Sequence, residues 1–255
     1  MAAQIGFTTY GDGPTRVLVL HDWFCDHSSW EGALPYLTTE RFTYAFADLR
    51  GYGASKEIDG DCTLEEAAGD AMALADHLGW ARFSLIGHSM SGLIVQRIAQ
   101  LAPDRIERVV AITPVSPGGM GLDSGAIGFM RSIALGTDEE RYKAVGSMWG
   151  TRLSETWVRY KLRRWRETAS PAAAAKYVEL WGATEISQEA RGIETPMLIV
   201  AAAQDAPQFQ AAALEASMVP FYANAQLISL NESGHYPMQE QPPLLATAIE
   251  RFLGG

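Results

Sequence analysis

Cysteine is scarce: Cys25 and Cys62 are the only two in 255 residues. Two thiols make no disulfide framework, and their scarcity agrees with a reducing cytoplasm, the expected location. Basic charge is also short. With 20 Lys and Arg against 30 Asp and Glu, the net charge is −10. That excludes an extended phosphate-binding surface, because nucleic-acid affinity rests on Lys and Arg. The one dense basic run, "RYKLRRWRE" at 159–167, puts Arg159, Arg163 and Arg166 on one helical face and reads as a solvated face. No apolar run approaches the ~18 residues of a membrane span, so no membrane insertion is expected. The opening "MAAQIGFTTYGDGPTRVLVLHD" lacks the basic and apolar regions of a secretory leader. Internal repeats are absent, and the only low-complexity tract is the short "SPAAAAK".

What remains is an ordinary globular composition, 47% hydrophobic and 20% charged, enough to bury a substantial core. The length fits one large α/β domain or a domain with an insertion. Short β-rich runs alternate with helical segments, the pattern of a mostly parallel twisted sheet flanked by helices. The strands expected are "RVLVLH", "FTYAFADL", "RFSLIGH", "RVVAITP", "PMLIVAA" and "AQLISL". Among the helices, "TLEEAAGDAMALADHLG" carries a capping box at Thr63 and Glu66 and a stop at Gly79. "MSGLIVQRIAQLAP" follows the third strand directly, and "PLLATAIERFLGG" closes the chain.

One connection breaks the rhythm. Between "VVAITP" and "PMLIVAA" lie about eighty residues, far more than the few-residue loops usual in such folds. The segment opens with the Pro/Gly-rich "PVSPGGMGLDSG" and continues as helical pieces. Thr137 with Glu140, Ser154, and Ser170 with Pro171 supply their start signals. We read 118–192 as a helical cap inserted into a core made of 1–117 and 193–255. The segment holds Trp149, Trp157, Trp165 and Trp181, with Met120, Met130 and Met148. These residues either pack the inserted helices together or line an apolar substrate pocket with Phe24.

The stretch "LIGHSMSG" at 85–92 joins strand "RFSLI" to helix "GLIVQRIAQ". A strand, a sharp turn carrying a serine and a helix form the setting of a nucleophile elbow, G-x-S-x-G. The final glycine is replaced by Ser91, still small enough for the close approach of strand and helix. Ser89 is therefore the expected nucleophile and Ser91 a spacer. A serine hydroxyl needs a neighbouring base. Of the five histidines His21, His27, His77, His88 and His235, only His235 lies C-terminal to the elbow, in the loop "NESGHYPMQEQP". The order Ser, acid, His then asks for a carboxylate between them at a strand end. Asp205, closing "PMLIVAAAQD", meets that demand, with Asp123 the runner-up.

With "LVLHDW", "DLRGYGAS", "GHSMSG", "AAAQD" and "GHYPMQEQP" in this order, the chain resembles the small, cap-bearing, esterase-like α/β-hydrolases over nearly its whole length. The resemblance implies an oxyanion hole made by the backbone N–H groups of Met90 and Trp23, with Phe24 the second choice in that turn. It implies a cofactor-free esterase or lactonase acting on a small ester-like molecule with an apolar part, and leaves a homodimer open. "DLRGYGAS" matches a recurrent loop of structural character, so no catalysis is assigned to Asp48 or Arg50. The family usually has His-Gly in the oxyanion turn. Here it is His21-Asp22, and the Asp22 carboxylate must point away from a developing oxyanion. An S-x-S elbow also occurs in hydrolase-like karrikin and strigolactone receptors, so a receptor with slow or no turnover is the second class. C–C hydrolases and perhydrolases share the triad. An acid at Asp123 would favour a cofactor-free oxygenase, whereas a serine nucleophile argues against epoxide hydrolases and haloalkane dehalogenases. Within "HDWFCDHSSW", His21, Cys25 and His27 invite a metal reading, but the carboxylate and helical histidine pair of a catalytic zinc site are missing, and no metal is expected.

Overall fold

The computed structural model describes residues 4–149 and 152–254, the side chains of 145–149 excepted. The elements follow in chain order as β1 (Phe7–Tyr10), β2 (Thr15–Leu20), β3 (Phe42–Ala47), α1 (Leu64–His77), β4 (Phe83–His88), α2 (Met90–Leu101) and β5 (Ile106–Ile112). Next come α3 (Ser124–Leu135), α4 (Asp138–Trp149), α5 (Glu155–Thr168), α6 (Pro171–Gly182) and α7 (Ser187–Ala190). The chain ends with β6 (Met197–Ala202), α8 (Ala211–Ser217), β7 (Ala225–Leu230), α9 (Pro237–Glu240) and α10 (Pro242–Leu253).

The seven strands form one sheet in the order β1-β3-β2-β4-β5-β6-β7. Every pairing is parallel except that of β1 with β3. Burial explains the composition of each strand. β3, β4 and β6 are buried at every residue, as a sheet covered by helices on both faces requires, and are mainly apolar, with Thr43, Ser84 and His88 the buried polar members. The edge strands β1 and β7 keep polar residues exposed. β1 is the strand absent from the sequence expectation: "FTTY" is four residues with an exposed Thr pair, too short to stand out by periodicity.

Local signals place the helices. The Thr63 hydroxyl accepts from the Glu66 N–H at 3.2 Å. The Glu66 carboxylate reaches back to the Cys62 N–H at 2.8 Å, one residue beyond the usual capping-box position. Asp123, Ser154 and Ser170 each cap the following helix. The expected long insertion consists of α3 to α7 between β5 and β6. It is tied to the core by the Ser170 N–H to the Gly51 carbonyl at 2.7 Å and the Ile186 N–H to the Pro117 carbonyl at 2.7 Å. The Trp23 indole also donates to the Ala174 carbonyl at 2.7 Å. Among the described residues, no helix is long and apolar enough to cross a membrane.

The β4–α2 junction is closely packed. A Cβ on Gly87 would lie 2.3 Å from the Ser91 carbonyl oxygen and 2.7 Å from Val95 Cγ2. Gly87→Ala is therefore expected to destabilise the fold by about 1–3 kcal/mol through overpacking. Gly69→Ala, within α1 with nothing within 4 Å of its Cβ, should instead stabilise by up to about 1 kcal/mol. Urea denaturation of the two variants checks the pair, and equal midpoints would contradict the close approach.

Candidate active site

Ser89 joins β4 to α2 with φ 54° and ψ −113°. A non-glycine residue there costs on the order of 1–3 kcal/mol and needs its surroundings to hold it. Three backbone bonds do so: Ser89 N–H to Ile112 O at 2.9 Å, Gly92 N–H to Ser89 O at 2.9 Å, and Val115 N–H to Ser89 O at 3.0 Å. The glycine absent from the position of Ser91 is present one residue later, where a Cβ on Gly92 would strike Pro114 Cβ at 2.4 Å. Ser91 is fully buried in the first turn of α2 and its hydroxyl donates to the His21 carbonyl. It ties the elbow to the neighbouring turn and does not face the cavity.

The Ser89 hydroxyl lies 2.9 Å from His235 Nε2, and His235 Nδ1 lies 2.6 Å from Asp205 Oδ2. Asp205 stands in the turn after β6, and His235 in the loop between β7 and α9. That loop is braced. The Glu240 carboxylate accepts the N–H groups of Gly234 at 2.7 Å and Tyr236 at 3.1 Å, on either side of the histidine. The His235 carbonyl accepts from His88 Nε2 at 2.6 Å. With Nδ1–H donating to Asp205, Nε2 is left to accept the serine proton. Burial opposes a charged His235, but Asp205, helped by Asp22 and Glu240, outweighs it and holds the pKa above the usual histidine value. At His88 the Asp22 carboxylate stands 4.0 Å from Nδ1 without a hydrogen bond and does not offset the burial of the ring. Burial pushes its pKa down to about 4, so it stays neutral. Asp123 does not take part in this chain: its carboxylate accepts the Ala126 N–H at 2.8 Å as the cap of α3.

The turn after β2 carries Asp22, Trp23 and Phe24. The Asp22 carboxylate accepts the Phe24 N–H at 3.2 Å and the Tyr236 hydroxyl. Met90 opens α2, which leaves its N–H without an intrahelical acceptor. Phe24, the second choice as an oxyanion donor, has its N–H engaged by Asp22. The three residues that suggested a metal are occupied separately. His21 Nε2 accepts from the Leu49 N–H at 3.0 Å, Cys25 Sγ accepts from Lys161 Nζ at 3.1 Å, and His27 Nδ1 bonds Asp48 at 2.9 Å. Asp26, His27 and Asp48 do converge, but Asp26 caps Ser28 and Asp48 also holds the Ala54 N–H at 2.8 Å. Arg50 pairs with Asp70 at 2.5 Å, so the "DLRGYGAS" loop is held by structural contacts.

A family model described as the alpha/beta hydrolase family matches residues 17–248. The chain belongs to that family. It is 27% identical over 261 residues to a pimeloyl-[acyl-carrier protein] methyl ester esterase of Nitrosomonas europaea, covering 97% of this chain and 99% of that one. Among solved structures, a bromoperoxidase from Bacillus anthracis superposes with a TM-score of 0.84 at 19% identity, covering 98% of this chain and 95% of that chain. An esterase from Exiguobacterium antarcticum superposes with a TM-score of 0.83 at 17% identity, covering 98% and 96%. At those identities the two structures show the shared fold alone.

In this α/β-hydrolase a cavity of about 290 Å³ opens beside Ser89 and His235. Its walls are almost wholly apolar, with Trp23, Phe24, Met120, Phe129, Trp181 and Phe209 prominent. Phe24, Trp181, Met120 and Met130 line this cavity. Trp165 and Trp157 do not. Trp165 is buried behind the wall, with its ring 5.2 Å from Trp23 and 4.9 Å from Phe24. Trp157 packs edge-on against Tyr236 at 5.7 Å. α5 turns both indoles toward the turn after β2 and the histidine loop, leaving the wall to α3 and α6. The Trp149 and Met148 side chains lie outside the described residues. Phe209 and Val115 went unpredicted, since nothing in their local sequence marks them off from core residues.

Ser91→Gly restores the usual elbow and loses one side-chain hydrogen bond, so it should keep activity within about threefold at a stability cost of about 1 kcal/mol. Ser91→Val leaves the His21 carbonyl unpaired and crowds the turn, and should fold poorly or lose activity about 100-fold. Rates and melting temperatures of the two variants check this. An active, stable Ser91→Val would contradict the tight turn.

Proposed function

We propose that the protein is a serine hydrolase that cleaves a carboxylic ester or lactone carrying an uncharged, apolar acyl or alcohol part. The observation that carries this reading is the hydrogen-bonded chain Ser89–His235–Asp205 at the foot of an apolar cavity. Ser89 Oγ attacks the carbonyl carbon while His235 Nε2 takes its proton. Asp205 keeps the imidazole in the required tautomer and supports its positive charge. The N–H groups of Trp23 and Met90 hold the oxyanion of the tetrahedral intermediate. The intermediate collapses as His235 returns the proton to the leaving alcohol. Water, deprotonated by His235, then adds to the acyl-serine and releases the acid. The inserted helices act as the cap: α3 and α6 close the cavity over the acyl group and exclude water. The methyl ester named for the Nitrosomonas europaea relative supports an ester as the bond cleaved.

His235→Ala is expected to lower kcat by roughly 10³-fold or more, and Asp205→Asn to impair it strongly by loss of the correct tautomer. Asp123→Asn, which only weakens a helix cap, should stay within about twofold. Because His235 must be neutral to accept the proton and its pKa is raised, kcat/KM should fall as the pH drops, with a midpoint above the ordinary value of about 6.5. A profile on p-nitrophenyl esters of acetate to dodecanoate supplies the readout. An Asp123→Asn loss exceeding that of Asp205→Asn would move the acid and sink the assignment.

The cavity makes a separate demand. Trp181→Ala enlarges it and should shift the preferred acyl chain to greater length, whereas Trp165→Ala should lower stability by about 3–5 kcal/mol with the same substrate ranking. The same ester series measures both, and an unchanged ranking in a folded Trp181→Ala protein would refute the cavity as the acyl site.

A further inference from the structure

Lys161 is 1% exposed, in the middle of α5. Lysine is almost never buried unless its charge is compensated, and here the surroundings are specific. Its ammonium lies 3.6 Å from the ring centre of Tyr236 and 3.1 Å from Cys25 Sγ. Burial pushes the Cys25 thiol up to about 11, so it meets Lys161 as a neutral acceptor. The compensating charge is Asp22, fully buried in the oxyanion turn, whose Oδ2 takes the Tyr236 hydroxyl and the Phe24 N–H. Its other oxygen has no hydrogen-bond partner among the described residues and faces His88 Nδ1 at 4.0 Å. Burial opposes ionisation of Asp22, but Lys161, His88 and the Tyr236 hydroxyl outweigh it and hold the carboxyl below its ordinary range.

One buried cation of the inserted helices therefore meets both halves of the machinery. Cys25 and Asp22 belong to the turn that presents the Trp23 N–H, and Tyr236 follows His235. We propose that Lys161 is a positioning residue that acts on the oxyanion turn through Asp22 and on the catalytic-base loop through Tyr236, so that the hydrolytic site is complete only with α5 seated on it. The proposal rests on the hydrolase reading above. Lys161 holds Asp22 as a carboxylate turned to Tyr236, and the turned carboxylate fixes the Phe24 N–H and with it the neighbouring peptide of Trp23. Its positive charge also offsets Asp22 at His235. The groups facing His235 are Asp205 after β6, Glu240 on α9, His88 and Ser89 at the end of β4, Asp22 after β2 and Tyr236 beside it. Removing the ammonium leaves the negative charges unopposed from the α5 side, which favours imidazolium. Removing Asp22 does the opposite.

The His235 ring is titrated by NMR in the substrate-free protein as wild type, K161M, D22N and K161M/D22N. The midpoint should rise in K161M and fall in D22N, each on the order of one pH unit, and return close to wild type in the double variant. On a p-nitrophenyl ester, K161M should lower kcat about tenfold or more with KM within about threefold, because the oxyanion turn acts on the transition state. A His235 midpoint that is the same in all four proteins, or a K161M enzyme with wild-type kcat, would overturn the proposal. Where K161M is too unstable to titrate, D22N decides alone: a midpoint at or above wild type defeats the idea. The titration needs no turnover. A wild-type protein inert on all esters would therefore count against the hydrolase reading, while the midpoints would still report on Lys161.

Discussion

The backbone of Ser89 is held at a positive φ that L-residues rarely adopt, and much of the structure exists to keep it there. β4 and β5 are buried side by side in the centre of the sheet, so the Ser89 N–H can be pinned to Ile112 and its carbonyl to Val115. The strain projects the hydroxyl out of the sheet, toward His235 and into the mouth of the apolar cavity. The helix that follows begins at Met90, so the positive end of its dipole lies beside Ser89. The strained backbone, the placement of the hydroxyl and the helix start are consequences of one turn.

Around that turn the protein keeps several charges out of water, and each is compensated. Asp205 is balanced by His235, Glu240 by Arg152 and two backbone N–H groups, and Asp22 by Lys161 and Tyr236. Such pairs cost desolvation and add little stability compared with apolar packing. What they provide is orientation in a site where water would otherwise supply alternative partners. The departure of the turn after β2 from His-Gly to His21-Asp22 becomes intelligible on these terms. The extra carboxylate accepts the Phe24 N–H and the Tyr236 hydroxyl, and it gives the inserted helices a charged anchor beside Ser89 and His235.

Much of this was legible in the sequence because it rests on local chemistry. The buried strands announce themselves as short runs rich in aliphatic and aromatic residues, the elbow as a small-residue turn between strand and helix, and the helix starts as Thr63, Ser154 and Ser170. Chain order was enough to prefer His235, and a strand end to prefer Asp205 over Asp123. The remainder depends on contacts between distant segments. Which indoles of the insertion face the cavity is set by how α3, α5 and α6 pack on the core, so Trp181 and Trp165 look alike in sequence and differ in place. Lys161 is the clearest case. Its run "RYKLRRWRE" reads as a solvated face, and Arg159, Arg163 and Arg166 are indeed exposed. The lysine lies on the opposite side of the helix, against Cys25, Tyr236 and the charge of Asp22, all distant in sequence.

The account stands or falls on Ser89 as the nucleophile activated by His235. Incubation with a fluorophosphonate, followed by proteolysis and mass spectrometry, reads this directly. The predicted result is one adduct per chain, on Ser89, formed at least 100-fold more slowly in His235→Ala and absent in Ser89→Ala. An adduct on Ser91, or labelling of Ser89 at an unchanged rate without His235, would contradict it.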